Sequence, residues 1–221
     1  MSNEIIPLFP TPLYVTNIDY DVDDDYLESL EYERYPDDTG NVSVNKNILF
    51  EDKFSDLKGY IDKHVNKFYF DYLRSSQGQP VLTGSWINVH EPNDASPKHV
   101  HCNACFSGVF YLKVPENSGG IKFSMDRETG FHTTSTNYPL PVMHNALNCP
   151  TFVKGVENNL LVLFPSHLTH STEKNNSDQN RYSLAFNYFV EGELGGDTGR
   201  VNIKVINLSL IHISEPTRRH S

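Results

Sequence analysis

The sequence predicts a mainly β domain with helices at its N-terminal end, packed on one sheet, and three observations lead to that class. An apolar stripe with helical spacing runs through residues 55–73. From Gly84 onward, apolar residues fall in short strand-like runs punctuated by Pro, Gly and Asn, as in a sandwich or barrel. Helices come first and strands later, without βαβ alternation, which excludes a doubly wound parallel sheet. The 221 residues suit one domain, and 38% hydrophobic against 21% charged residues is globular composition, far from that of a disordered chain.

In chain order, Ile5 to Val15 is apolar but carries Pro7, Pro10 and Pro12, which suits an edge strand or extended arm. Val22 to Tyr35 opens with aspartates, favoured at a helix N-terminus by the macrodipole, and reads as a helix. Ser55 to Leu73 spaces Leu57, Ile61, Val65, Phe68 and Tyr72 by three and four, with Ser55 as its N-cap. Strands are expected at 85–90, 107–114, 120–124, 159–164 and 181–190, with Gly119-Gly120 as a hairpin turn between two of them. Phe131 to Phe152 is rich in Pro, Thr and Asn and reads as a long loop with at most one strand. The single domain is expected to span 1–207. Leu208 to Ser221 resembles the translated read-through of a sequencing adapter and is read as non-native, which removes His212 and His220 from any functional argument.

Eighteen basic against 28 acidic residues give a formal net charge of -10, and without Glu215, Arg218 and Arg219 the balance is 16 to 27. Such a field repels phosphate backbones and anionic lipid, so neither nucleic acid nor a membrane surface is an expected partner. No apolar run reaches the ~20 residues of a membrane span, and the opening residues lack a secretory pattern. A soluble, cytoplasmic protein is expected. The odd number of cysteines, three, argues against a disulfide framework.

Three of the eight histidines before residue 208 stand where a site would place them. His99 and His101 flank one residue just before the strand near Ser107, and side chains at i and i+2 of an extended segment share a face. Both imidazoles can then reach one metal. His170 follows the apolar run 159–164, and Arg181 opens the next strand eleven residues on. Each element alone is also the pattern of surface or satisfied side chains; their order carries more than any one of them.

That order resembles the double-stranded β-helix (jelly roll) dioxygenases that use Fe(II) and 2-oxoglutarate, in the prolyl-hydroxylase-like branch and most closely a phage-associated group. The matching stretches are His99-Val-His101, Ser107 to Leu112, Gly119 to Phe123, Asn159 to His170 and Arg181 to Phe189, with Pro7 to Tyr14 and Trp86-Ile-Asn88 also similar. The resemblance implies His99, His101 and His170 as iron ligands. It implies Arg181 and Tyr111 on the far carboxylate of 2-oxoglutarate, which a guanidinium fork suits. Ser183, sharing a face with Arg181, is expected to assist, and Trp86, Asn88 and Asn187 to line the pocket. The implied reaction consumes O2 and 2-oxoglutarate, releases succinate and CO2, and hydroxylates an unidentified substrate such as a prolyl or other protein side chain. His101 departs from the usual two-histidine, one-carboxylate set, leaving the metal site one unit more positive. Halogenation is not expected, because His101 fills the position that halogenating relatives empty.

Other readings stay open. Cys102 and Cys105 beside the histidine pair allow a zinc site, although Cys102 points away from His101 on an extended segment. His167 is an alternative to His170, and Asp94 an alternative carboxylate. His64, His90, His132 and His144 have no partner pattern. A three-histidine cupin-like protein and a catalytically silent jelly-roll interaction module are the competing functions.

Overall fold

The computed structural model describes residues 10–37, 39–125, 143 and 149–206. His132, His144, most of the expected loop at 131–152 and the tail from 208 lie outside the described residues.

The strands are β1 (Tyr14–Asn17), β2 (Tyr32–Arg34), β3 (Asn41–Ser43), β4 (Gln79–His90), β5 (Phe106–Lys113), β6 (Ile121–Ser124), β7 (Thr151–Lys154), β8 (Leu160–Pro165), β9 (His170–Thr172), β10 (Arg181–Leu194) and β11 (Val201–Ile203). They form a large antiparallel sheet in the order β1-β8-β5-β10-β4-β3-β2, with β11 beside β10, and a small sheet in the order β7-β6-β9. The Pro-flanked β1 does take an edge.

Strand alternation divides the molecule into layers. On β10, Leu184, Phe186 and Tyr188 face the helical side, where they join Ile61, Val65 and Phe68 in the main core. The alternate face of the large sheet presents Val109, Tyr111, Val162 and Phe164, which close on Ile121 and Phe123 of the small sheet. The result is a jelly roll with helices covering one sheet, as expected.

Local departures have local causes. The first helix, α1, spans only Asp24–Ser29; Asp23 caps it by accepting from the Tyr26 N–H at 3.2 Å. It stops early because Tyr32–Arg34 is drawn into the sheet against β3. Helix α2 (Ser55–Asn66) lacks the expected Ser55 cap, since a 3-10 turn at 52–54 runs directly into it, and its end continues as a π-helix over 67–72. Gly119-Gly120 is not a hairpin turn. β5 and β6 belong to different sheets, and the glycines carry the chain across. Gly119 sits at φ +77°, and a Cβ there would lie 2.7 Å from the Lys174 carbonyl oxygen, so only glycine fits.

Gly108 on β5 is the closest approach of backbone to core: a side chain there would overlap the Phe186 ring and come within 2.6 Å of Leu163. Overpacking of this kind costs about 1–3 kcal/mol. Gly108→Val is therefore expected to lower the unfolding free energy by that amount, seen as a lower urea midpoint with an unchanged m-value; unchanged stability would contradict the packing described.

Candidate metal centre and its cavity

The histidines come together through backbone pairing. His99 and His170 exchange two backbone hydrogen bonds, of 2.9 and 3.0 Å, and the His101 N–H donates to the Ser166 carbonyl at 2.9 Å. The loop after β4 is thus clipped to the start of β9 and to the turn before it. The ligand-capable atoms of His99, His101 and His170 lie within 4.8 Å of one another. Among the described residues no other group of three or more His, Cys, Asp or Glu side chains is gathered in this way.

Two of the rings are oriented by carbonyls. The Nδ1 of His99 lies 2.9 Å from the Pro97 carbonyl, and that of His170 2.9 Å from the Leu168 carbonyl. A carbonyl only accepts, so each Nδ1 carries the proton and each Nε2 keeps a free lone pair, the arrangement that second-sphere partners impose on metal-binding histidines. Burial, followed by the neighbouring His99, holds His101 down to about 4. Burial likewise takes His170 down to about 3, against the Leu168 carbonyl, which favours the charged form. Both are neutral at pH 7, as a metal requires.

The histidines line a cavity of about 270 Å³ between the two sheets. Val109, Ile121 and Phe164 give it an apolar wall, and Tyr111 lines it from β5. Tyr111 is pushed up to about 12 by burial, with Arg181 pulling the other way, so its O–H remains a donor. Arg181 is only 1% exposed. Its Nη1 donates to the Ser118 and Gly119 carbonyls at 2.5 and 3.0 Å, while Nε and Nη2 have no partner. A buried cation with two unmatched donors is costly, and a carboxylate is the group that satisfies them as a fork. The donor set therefore fits a metal-chelating dicarboxylate.

Other expected positions divide. Trp86 and Asn88 line the cavity, and the Trp86 and His101 ring centroids are 6.2 Å apart. Neither Arg181 nor Ser183 lines the cavity itself; both lie on the inner face of β10, and Ser183 pairs with Tyr111 and Asn88, which do line it. Asn187 does not line it either. Its side-chain Oδ1 accepts from Ser107 Oγ, itself 2.8 Å from Ser166 Oγ, so it braces the turn that holds His101. Cys105 packs on the main core, Cys102 and His167 are exposed, and His64 bonds the Tyr14 hydroxyl.

Asp94 serves the loop and not the metal site. Its carboxylate accepts two hydrogen bonds from Arg34, of 2.8 and 2.6 Å, and one from the Glu91 N–H. Sequence reasoning missed several lining residues, among them Tyr35, Asp37, Thr39, Ser96 and Thr172, and set aside His90. His90 had a readable signal, since it alternates with Trp86 and Asn88 on one strand.

Residues 84–187 match the family model described as "Putative 2OG-Fe(II) oxygenase". Among solved structures, the chain is similar to a 2OG-Fe(II) oxygenase family oxidoreductase from Burkholderia pseudomallei, with 15% identity, TM-score 0.51 and 75% of each chain covered. It is also similar to a Pseudomonas putida prolyl-4-hydroxylase, with 10% identity, TM-score 0.52, and 82% of this chain and 94% of that one covered. HygX from Streptomyces hygroscopicus, solved with nickel, 2-oxoglutarate and hygromycin B, gives 11% identity, TM-score 0.51, and 81% and 83% coverage. At these identities the structures support the fold, and the family match supports the kind of site. No curated protein matches the chain.

Two expectations follow from the geometry. Burial raises the Asp94 carboxyl, but hydrogen bonds from Arg34 and the Glu91 N–H outweigh it and leave the group below its ordinary value. A depressed folded-state value contributes stability above about pH 4 that is lost as pH falls through it. Asp94→Asn should thus be less stable than the wild type at pH 7, and the difference should close towards pH 3 in urea titrations. Replacing His101 by Ala should weaken Fe(II) or Co(II) binding by at least about tenfold in anaerobic calorimetry; undiminished affinity would leave a two-histidine site.

Proposed function

We propose that the chain, whose residues 84–187 are those of a 2OG-Fe(II) oxygenase family, is an Fe(II)- and 2-oxoglutarate-dependent dioxygenase that hydroxylates a substrate carbon. The observation that carries this reading is the buried Arg181, with Nε and Nη2 unmatched, on the inner face of the fold that holds the three-histidine cluster.

In this reading His99, His101 and His170 hold the iron. The iron with 2-oxoglutarate and O2 supplies the oxidising chemistry: the co-substrate loses CO2 and becomes succinate, one oxygen atom going to it and one to the substrate C–H. Arg181 takes the far carboxylate through Nε and Nη2, Tyr111 donates its O–H to the same group, and Ser183 assists from the same face. The carbonyls of Ser118 and Gly119 hold the guanidinium in place before the co-substrate arrives. The Pro97 and Leu168 carbonyls keep two Nε2 atoms aimed at the metal. Val109, Ile121 and Phe164 keep water from the enclosed end. An all-imidazole set supplies no anionic ligand and leaves the two iron charges to the 2-oxoglutarate dianion, so metal and co-substrate bind cooperatively.

Anaerobic titration of 2-oxoglutarate into the Fe(II)-loaded protein tests this through the visible metal-to-ligand charge-transfer band. The band is expected in the wild type, absent in His170→Ala, and reached only at much higher 2-oxoglutarate in Arg181→Ala. A wild type that holds no iron and gives no band would overturn the oxygenase reading and leave a silent jelly-roll module.

A further inference from the structure

The cavity has two chemically different ends. The more enclosed part carries His170 and Tyr111, both buried, and the half-buried His101, with His99 exposed beside them. The open end is built from half-buried or exposed groups: Tyr35, Asp37 and Thr39 on the segment before β3, and Trp86 and Asn88 on β4. Their arrangement is set in advance. The Tyr35 hydroxyl donates to Asn88 Oδ1 at 3.0 Å, which fixes that ring against the strand, and Thr39 Oγ1 donates to Asp37 Oδ1 at 2.6 Å.

Among the described residues, no Lys or Arg lines this cavity, and Asp37 is its single carboxylate. Two aromatic rings and one carboxylate lining the same cavity suit a cation, because ring faces and carboxylate attract the same charge. An anionic group would be repelled by Asp37, and a purely apolar group would desolvate that carboxylate without compensation. The whole chain, at -10, steers cations in the same direction. The Trp86 ring lies 6.2 Å from the His101 ring, so a group held there is within reach of the metal centre.

We infer that the primary substrate presents a primary ammonium group, held between the Trp86 and Tyr35 rings with Asp37 as its counter-ion. The inference deepens the oxygenase reading and rests on it for the reaction. The carbon to be hydroxylated then belongs to the aliphatic chain that joins the ammonium to the rest of the substrate. That group can come from a lysyl side chain or from a free amine.

Trp86 is the sole tryptophan in the chain, so its emission reports directly on this end of the cavity. The full-length protein, loaded anaerobically with Fe(II) and 2-oxoglutarate, is titrated with acetyl-Gly-Lys-Gly-amide and with n-pentylammonium. Their neutral counterparts are the peptide acetylated at the lysine Nε and n-pentanol. Ammonium probes are expected to change the emission saturably, binding at least about tenfold tighter than the neutral ones, with Asp37→Asn or Tyr35→Leu removing the difference. Response to the peptide alone assigns a lysyl side chain; an equal response to n-pentylammonium assigns a free amine. Equal binding of charged and neutral probes, no response to any probe, or full selectivity in both variants overturns the inference. The charge-transfer band is read first in the same samples: a band without ammonium selectivity overturns this inference alone. Selectivity without a band overturns the oxygenase reading and leaves the cation site standing.

Discussion

Two backbone hydrogen bonds exchanged between His99 and His170 are the constraint on which the site depends. They join a loop that leaves the large sheet to the first residue of a strand in the small one, so the metal centre exists only where the sandwich closes. Loop segments are ordinarily the mobile part of a fold. Here the segment is tied along its length: Ser96 exchanges hydrogen bonds with Thr172, Asn93 and Asp94 pair with the backbone of Asn175, and Arg34 grips Asp94. A constellation of three imidazoles within 4.8 Å needs this support, since small displacements of any one would disperse it.

Electrostatics follow from the same enclosure. Burial keeps His101 and His170 neutral, and it also isolates the guanidinium of Arg181 at the first residue of β10. His90, its cross-strand partner, is pushed down to about 3 by burial and by Arg181 itself, so it adds no second charge. The guanidinium of Arg181 thus lies buried on the same inner face as two neutral imidazoles, those of His101 and His170. A dianion that chelates a divalent metal balances metal and guanidinium at once, which is why the chemistry of the donor set and the family match of residues 84–187 agree. Asp37, an exposed carboxylate, lines the same cavity and carries the opposite sign to Arg181.

Much of this was legible from residue order. The short apolar runs Ser107 to Val114, Asn159 to Phe164 and Arg181 to Val190, set off by Pro, Gly and Asn clusters, mark strands, and β5, β8 and β10 fall there. His99, His101 and His170, which the structure gathers, were readable as a candidate set because their order along strands and turns resembles that of a known family. The Gly119-Gly120 turn was misread because a glycine pair signals a sharp change of direction without saying which sheet the chain enters. The helix expected at Val22 to Tyr35 was overlong for a related reason: Tyr32–Arg34 has no strong propensity of its own and becomes a strand through pairing with β3.

Local chemistry thus settled the class of fold, the candidate ligands and the acidic field, since these rest on periodicity, residue type and net charge, which are properties of the chain itself. Tertiary packing decided the rest. Asn187 became a brace through Ser107 and Ser166, Asp94 became an anchor for a loop, and Tyr35 and Asp37 arrived at the cavity from some fifty residues away along the chain. No residue pattern encodes such meetings, because strand neighbours distant in sequence are chosen by the register of the whole sheet, and a side chain's role is then fixed by whatever that register sets beside it.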